Sequence, residues 1–448
     1  MANRLISKTV LLGGAAVALA VAGIAGAGWA ATKPAASSTA VTHQVVTGPV
    51  AEYWVSTATS TGLSLSGLSG GGKPSLGSMM NMMKGGVSHS MHLQLGSSTA
   101  ASGDPTGDHL PPPVLDAGND LPLYYQAPVA QKTTYTPQEH EEQPQQSEPP
   151  KGKILIFWGC GEHAPKNQPV VIDLSKLADS AERLTAMSKM MPAPIQLDQV
   201  HPPSPDRWKT YGEWPNVKAK TGLDANSSLL GAHTVKANYS PQIDFTLAQD
   251  QDFMAPIQIA GNSRDGEGAI PLTWTALTNA KGIILNAIGS GGKVADGGSI
   301  LIMWTSAQAQ MGWTGLGADY LTPHDSERLV ASKTLLPGTA TACTVPAEVT
   351  GQAQGMMYSM TAYGGEANFA YPPRPEDPKT PWNIQWETKV RYKTTTGGIL
   401  GQSTGGGWGG AQSGSSSSSS SSDGKKKKGF GLGDMVKQGL GSMIPGGG

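Results

Sequence analysis

Residues 87–95 alternate strictly: Val87, His89, Met91, Leu93 and Leu95 point one way, while Ser88, Ser90, His92 and Gln94 point the other. That period of two predicts a half-buried strand. Residues 44–60, rich in Val, Thr, Tyr and Trp, predict a partner strand, and a Gly/Ser/Met loop at 62–86 joins the two. Farther on, Lys153 to Gly159 is a continuous apolar run of the buried-strand type, and residues 169–174 supply a second strand to make a core hairpin. Leu177, Ala178, Ala181, Leu184, Met187 and Met191 carry helical spacing over 174–191, with Asp173 or Ser175 as its cap. A Pro- and Trp-rich loop over 192–222 places Trp208, Tyr211 and Trp214 against the body. Strands then recur at 242–247, 255–260, 270–275, 282–288, 299–304, 342–349 and 356–363, and one more alternates over 382–393. The long connection 305–337 holds a helix at 323–332, opened by a Thr322 cap with Asp325 three residues on.

Seven short strands at regular spacing suggest a sandwich. Three segments carry a family likeness: Leu272-Thr273-Trp274, Gly282-Ile283-Ile284-Leu285, and Met357-Tyr358-Ser359-Met360-Thr361-Ala362-Tyr363-Gly364. In them residues 239–371 resemble fibronectin type III and immunoglobulin-like modules, at the Trp-bearing second strand, the third strand and the Tyr-bearing sixth strand. The resemblance implies a β-sandwich fold and no particular activity. The fold class expected is therefore mainly β: an immunoglobulin-like sandwich, an N-terminal β-rich region, one or two short helices and a disordered tail.

Composition refines the boundaries. The 59 Gly and 33 Pro of the 448 residues cluster at the loop 62–86, the Pro/Gln-rich stretch 101–150 and the end of the chain, so they mark joints in a folded body. The expected organisation is 1–30 as leader, 31–100 as strand pair, 101–150 as linker, 151–236 as hairpin, helix and loop, 237–396 as sandwich, and 397–448 as a Gly/Ser/Lys tail. Lys plus Arg at 32 against Asp plus Glu at 33 leaves no basic field, which excludes nucleic acid as a partner. Arg4 and Lys8 precede an uncharged apolar stretch from Val10 to Ala31, the layout of a signal peptide cleaved after Ala27 or Ala30, or else of an N-terminal anchor. Either way the body is exported, to the periplasm, the outer envelope or the medium. There the two cysteines, Cys160 and Cys343, can form a disulfide or stay as two buried thiols.

Four groups of residues carry candidate chemistry. In the tail, Lys425, Lys426, Lys427 and Lys428 precede Leu432, Met435, Val436, Leu440, Met443 and Ile444 at helical spacing, a pattern for docking on an anionic membrane surface or a partner groove. Against it, Gly433, Gly439 and Gly441 each weaken a helix by about 1 kcal/mol. Met79, Met80, Met82 and Met83, with His89 and His92, offer the thioethers and imidazoles that copper prefers; a flexible apolar turn beside a core histidine is the alternative. Cys160, Glu162 and His163 place a thiol, a carboxylate and an imidazole just after a buried strand, where a hydrolase or redox enzyme could keep a nucleophile. Finally, Trp208, Tyr211, Trp214, Trp304, Trp313, Tyr320, Trp382 and Trp386, beside Asp319, His324 and Asp325, could stack on sugars or fill a core that has only five Phe. No cofactor motif is present in the Gly-rich stretches, which lack the helix, Lys and Ser/Thr of a phosphate loop. The role these readings favour is non-catalytic: a structural or adhesion-like envelope protein that binds another protein or a glycan. The alternatives are a periplasmic enzyme using Cys160 and His163, and a copper-binding envelope protein.

Overall fold

The computed structural model describes residues 44–62, 86–127 and 151–402, apart from 179, 191–194, 217–222, 296, 312–315 and 317–318. The leader, the Met79–Met83 cluster, Trp313 and the tail residues from Lys425 to Ile444 lie outside the described residues. The fold is mainly β. Its largest sheet is built from β1 (Ala51–Gly62), β2 (Ser88–Ser97), β3 (Tyr124–Gln126), β4 (Gly152–Trp158), β5 (Val170–Asp173), β6 (Thr210–Trp214), β7 (Gly282–Lys293), β8 (Ser299–Thr305), β9 (Ala353–Tyr371) and β10 (Trp386–Ile399). Their spatial order is β3-β6-β2-β1-β10-β9-β7-β8-β4-β5, with Leu336–Pro337 pairing on β7 as an eleventh short strand. Most neighbours are antiparallel; β1 with β10 and β8 with β4 are parallel.

The alternation along these strands sorts the sheet into two faces. On one face Tyr53, Val55, Leu93, Leu95, Leu285, Met360 and Val390 join a single apolar core. Two smaller sheets contribute to the same core. One runs in the order Ile243–Leu247, Gly231–Ala237, Gly107–Leu110, Leu121–Pro122, and supplies Val235, Ile243 and Phe245. The other runs in the order Ile259–Asn262, Ile270–Trp274, Ala342–Val345, and supplies Leu272, Trp274 and Val345. On the opposite face two helices cover parts of the large sheet, one at its β4–β5 end and one over β7 and β9. Helix α1 (Ser180–Met190) brings Ala186 over Ile154, Ile156 and Trp158. Helix α2 (Pro323–Ala331) brings Leu329 over Ile284 and Tyr363. Strand β4 is thus apolar on both faces, which accounts for its unbroken hydrophobic run.

Several expectations hold element by element. The hairpin of β4 and β5 is antiparallel, and β1 pairs antiparallel with β2. Thr322 caps α2, its hydroxyl accepting from the Asp325 N–H at 3.0 Å. Others are corrected. The helix expected over 174–191 is a 3-10 segment, Leu174–Ala178, followed by α1. The strand expected over 342–349 stops at Val345, because Pro346 has no N–H for the ladder, and the chain turns into helix α3 (Ala347–Gln352). The stretch 101–127 is no extended surface linker: its apolar islands Leu115, Leu121 and Leu123 are buried, and Gly107–Leu110 is a central strand of a sheet. The large sheet crosses the boundaries that composition draws at 100, 150 and 236, since its strands come from every segment between 51 and 399. Within 237–396, the strands run through all three of the sheets just described, β7, β8, β9 and β10 being in the largest.

Cys160 and Cys343 are joined as a disulfide, Cα to Cα 5.2 Å, closing a sequence separation of 183 residues. It ties the end of the β4 hairpin to the three-stranded sheet. A loop of this length corresponds to roughly 4–5 kcal/mol in the chain-entropy account.

Where the four-stranded sheet meets β1, three polar side chains are buried in a line. Tyr53 Oη lies 2.8 Å from His109 Nδ1, His109 Nε2 lies 3.1 Å from His233 Nδ1, and His233 Nε2 lies 2.7 Å from the Leu229 carbonyl. A carbonyl only accepts, so His233 donates from Nε2. Burial lowers the pKa of both imidazoles, and each is neutral at pH 7. The proton directions then follow: Tyr53 O–H donates to His109 Nδ1, and His109 Nε2–H donates to His233 Nδ1. Burial also pushes the Tyr53 phenol well above its ordinary 10.0, so the chain keeps its donor. Every ring nitrogen is satisfied, which is what permits two imidazoles and a phenol in a core.

The unfolded chain binds protons on His109 and His233 below their ordinary 6.5, whereas the folded chain does so only at lower pH. Their contribution is therefore fully present above pH 6.5 and is lost as pH falls toward the depressed folded values, by up to roughly 1.4 kcal/mol per pH unit for each. Urea denaturation from pH 7.5 to 5 should show a stability that declines below 6.5, and an NMR titration should find both imidazoles protonating at lower pH than a free histidine.

Candidate functional site

The second face of β1 and β10 carries a row of cations from β10. Because the two strands are parallel and in register, Trp54 lies opposite Lys389, Ser56 opposite Arg391 and Ala58 opposite Lys393. The period of two thus stacks three cations of β10 on one face, beside the indole of β1. Tyr320, from the segment before α2, lies over them and anchors its hydroxyl on the Thr57 carbonyl at 3.1 Å.

The result is an alternating series. The Lys389 Nζ is 5.3 Å and the Arg391 guanidinium 4.8 Å from the Trp54 ring centre. Arg391 is also 4.3 Å and the Lys393 Nζ 4.5 Å from the Tyr320 ring centre. Two aromatic rings are each shared by two cations. The outer cations are neutralised, Lys389 by Glu366 at 2.6 Å and Lys393 by Asp319. The central one is not: Arg391 donates from Nε to Ser56 Oγ at 2.7 Å, and among the described residues no carboxylate pairs with its guanidinium. Burial pulls the Arg391 pKa below its ordinary value, opposed by Tyr320, Asp319 and Glu366 nearby. The group remains charged, half-buried and one carboxylate short.

Arg391 opens on a cleft of about 290 Å³ lined by Leu197, Val200, Pro202, Tyr320, Leu321 and the acids Asp198, Asp319 and Asp325. A second cleft, about 400 Å³, lies on the other side of Trp54 and contains Glu52, Glu387, Lys389 and Trp382. Burial raises the pKa of Glu52, against the Trp54 Nε1–H bond that lowers it, and burial raises that of Glu387.

The acids of the first cleft are already engaged. Asp325 is buried, taking Arg328 Nη2 at 2.6 Å and the Asp198 N–H at 2.9 Å on its two oxygens. Asp198 accepts from Thr322 Oγ1 at 2.8 Å and lies 3.0 Å from His324 Nδ1, and these bonds hold its carboxyl below the usual range. Asp198, His324 and Asp325 each offer a ligand atom within 4.8 Å of the others. With Asp325 committed to Arg328 and a backbone amide, the trio reads as a clamp that fastens residues 195–200 to the start of α2 and forms one wall of the cleft.

The residues singled out from sequence are distributed as follows. Cys160 spends its sulfur on Cys343, so the Cys160, Glu162, His163 nucleophile has no free thiol. His163 instead reaches Glu348 at 3.2 Å and Glu267 at 3.6 Å on the surface. His89 and His92, three apart on β2, face opposite ways: His89 stacks on Phe253 at 4.1 Å and His92 lies 3.3 Å from Glu213. They cannot close on one copper ion. Of the aromatics, Tyr211, Trp214, Trp304 and Trp386 are buried, and the Trp208 ring packs over Gly96. These fill space in the body, whereas Asp319, Tyr320 and Asp325 of that group line the first cleft and Trp382 lines the second. Trp54, Lys389, Arg391 and Lys393 were not singled out. The cations at every second position of β10 were legible, but their ring partners depend on a register between strands more than 300 residues apart.

No family model, no curated protein and no solved structure matches this chain. The cleft must be read from its own chemistry.

Thr322 both caps α2 and holds Asp198. Thr322→Ala should lower unfolding stability by about 1 kcal/mol and Thr322→Ser should restore most of it, as measured by urea denaturation.

Proposed function

We propose that this chain is an exported cell-envelope protein with a non-catalytic binding role, and that the Arg391 cleft is where it binds. The observation that carries the reading is the central arginine, set 4.8 Å and 4.3 Å from the Trp54 and Tyr320 ring centres, with no carboxylate bonded to it among the described residues and lining the cleft. A guanidinium so placed is prepared for a planar anionic group, and the rings that fix it reduce the entropy lost on binding. Export is supported by Arg4 and Lys8 ahead of the apolar stretch 10–31 and by a disulfide of the kind that persists in oxidising compartments. The immunoglobulin-like resemblance of 239–371 belongs to the same reading, since such modules commonly present binding surfaces on a β-scaffold. The Lys425 to Lys428 tail would add attraction to an anionic membrane surface.

Full-length protein mixed with envelopes isolated from the cells that make it should sediment with them. Arg391→Ala, checked to unfold at a similar urea concentration, should lose most of that retention. Wild-type protein that stays in the supernatant, or a variant retained equally well, contradicts the reading.

A further inference from the structure

Resting on the cleft as a binding site, the charge pairing around it points to the partner's chemistry. Three acids line the cleft, yet each is answered: Asp319 by Lys393, Asp325 by Arg328, and Asp198 by Thr322 and His324. Glu366 is answered by Lys389. Among these cations Arg391 is the one with no carboxylate bonded to it, so an anion is the ligand group that would complete its fork. The rings of Trp54 and Tyr320 are already faced by cations, and Trp54 is only 3% exposed, so neither presents a broad free face to a sugar. What the cleft does present beside Arg391 is an aliphatic wall of Leu197, Val200, Pro202 and Leu321. A volume of about 290 Å³ accepts a short segment with one or two side chains.

We infer that the cleft receives an acidic peptide segment of a protein partner, an Asp or Glu carboxylate taking the two free Nη donors of Arg391 while a neighbouring apolar side chain packs on Leu197, Val200 and Leu321. The carboxylate makes the bidentate pair that Ser56 leaves open.

The experiment is NMR titration of the full-length protein with acetyl-leucyl-glutamyl-leucine amide at millimolar concentration, following the Arg391 Nε–H signal and the methyl groups of Leu197 and Leu321. The glutamine version of the peptide and galacturonate are run in parallel. The glutamate peptide should shift all three sets of signals and bind about tenfold or more tightly than the glutamine peptide. Arg391→Gln should abolish the difference between the two peptides, and Arg391→Lys should restore only part of it. Equal binding of both peptides on the wild-type protein overturns the inference without recourse to any variant. Galacturonate shifting Arg391 while the peptide does not overturns the peptide assignment and leaves the binding cleft standing. Signals unmoved by every probe overturn both.

Discussion

Parallel pairing of residues 51–62 with 386–399 is the constraint on which the rest of the structure depends. Parallel strands cannot be joined by a tight turn, and here the connection is almost the whole body of the protein. If this one seam is removed, the large sheet divides into a four-stranded piece, β3-β6-β2-β1, and a piece running from β10 to β5, each with a long open edge. The seam also sets the face on which side chains meet. One face gains Tyr53 beside Thr388 and Val55 beside Val390 for the core, and the other gains Trp54 beside Lys389 and Ser56 beside Arg391 for the cleft.

Two polar clusters show how charged and hydrogen-bonding groups are accommodated inside the fold. In the core it is the Tyr53, His109, His233 chain: each donor finds an acceptor, ending on a backbone carbonyl, and the small sheet is fixed to the large one with a defined register. Around the cleft Asp325 pairs with Arg328, Glu366 with Lys389 and Asp319 with Lys393. Arg391 has no such carboxylate partner among the described residues. A half-buried cation supported by rings and one hydroxyl, with no carboxylate, is a feature that binding a further group would complete.

Local patterns made much of this legible. The alternation of β2, the unbroken run of β4 with its hairpin partner, and the capped helix at Thr322 all depend on residues close in sequence, and each forms as its pattern indicates. What was not legible depends on long-range pairing. The Pro-rich stretch around Gly107 looked like a linker because its strand is only four residues long and its burial comes from Gly231–Ala237, far along the chain. The alternation over 382–393 predicts a strand but says nothing of the cations' ring partner, because that indole lies on β1. For Trp304 and Trp386 the sequence leaves sugar stacking and core filling both open, since composition cannot tell an exposed ring from one that fills a core poor in Phe, and both rings are buried.

Native-state hydrogen exchange tests the central seam most directly. The paired amides of β1 from Tyr53 to Thr61 and of β10 from Thr388 to Thr396 should exchange together, among the slowest in the molecule, through the opening that unfolds the whole sheet. Rapid exchange of β1 while β10 stays protected would mean that residues 51–62 are not held against 386–399, and would contradict both the single sheet and the cleft built on it.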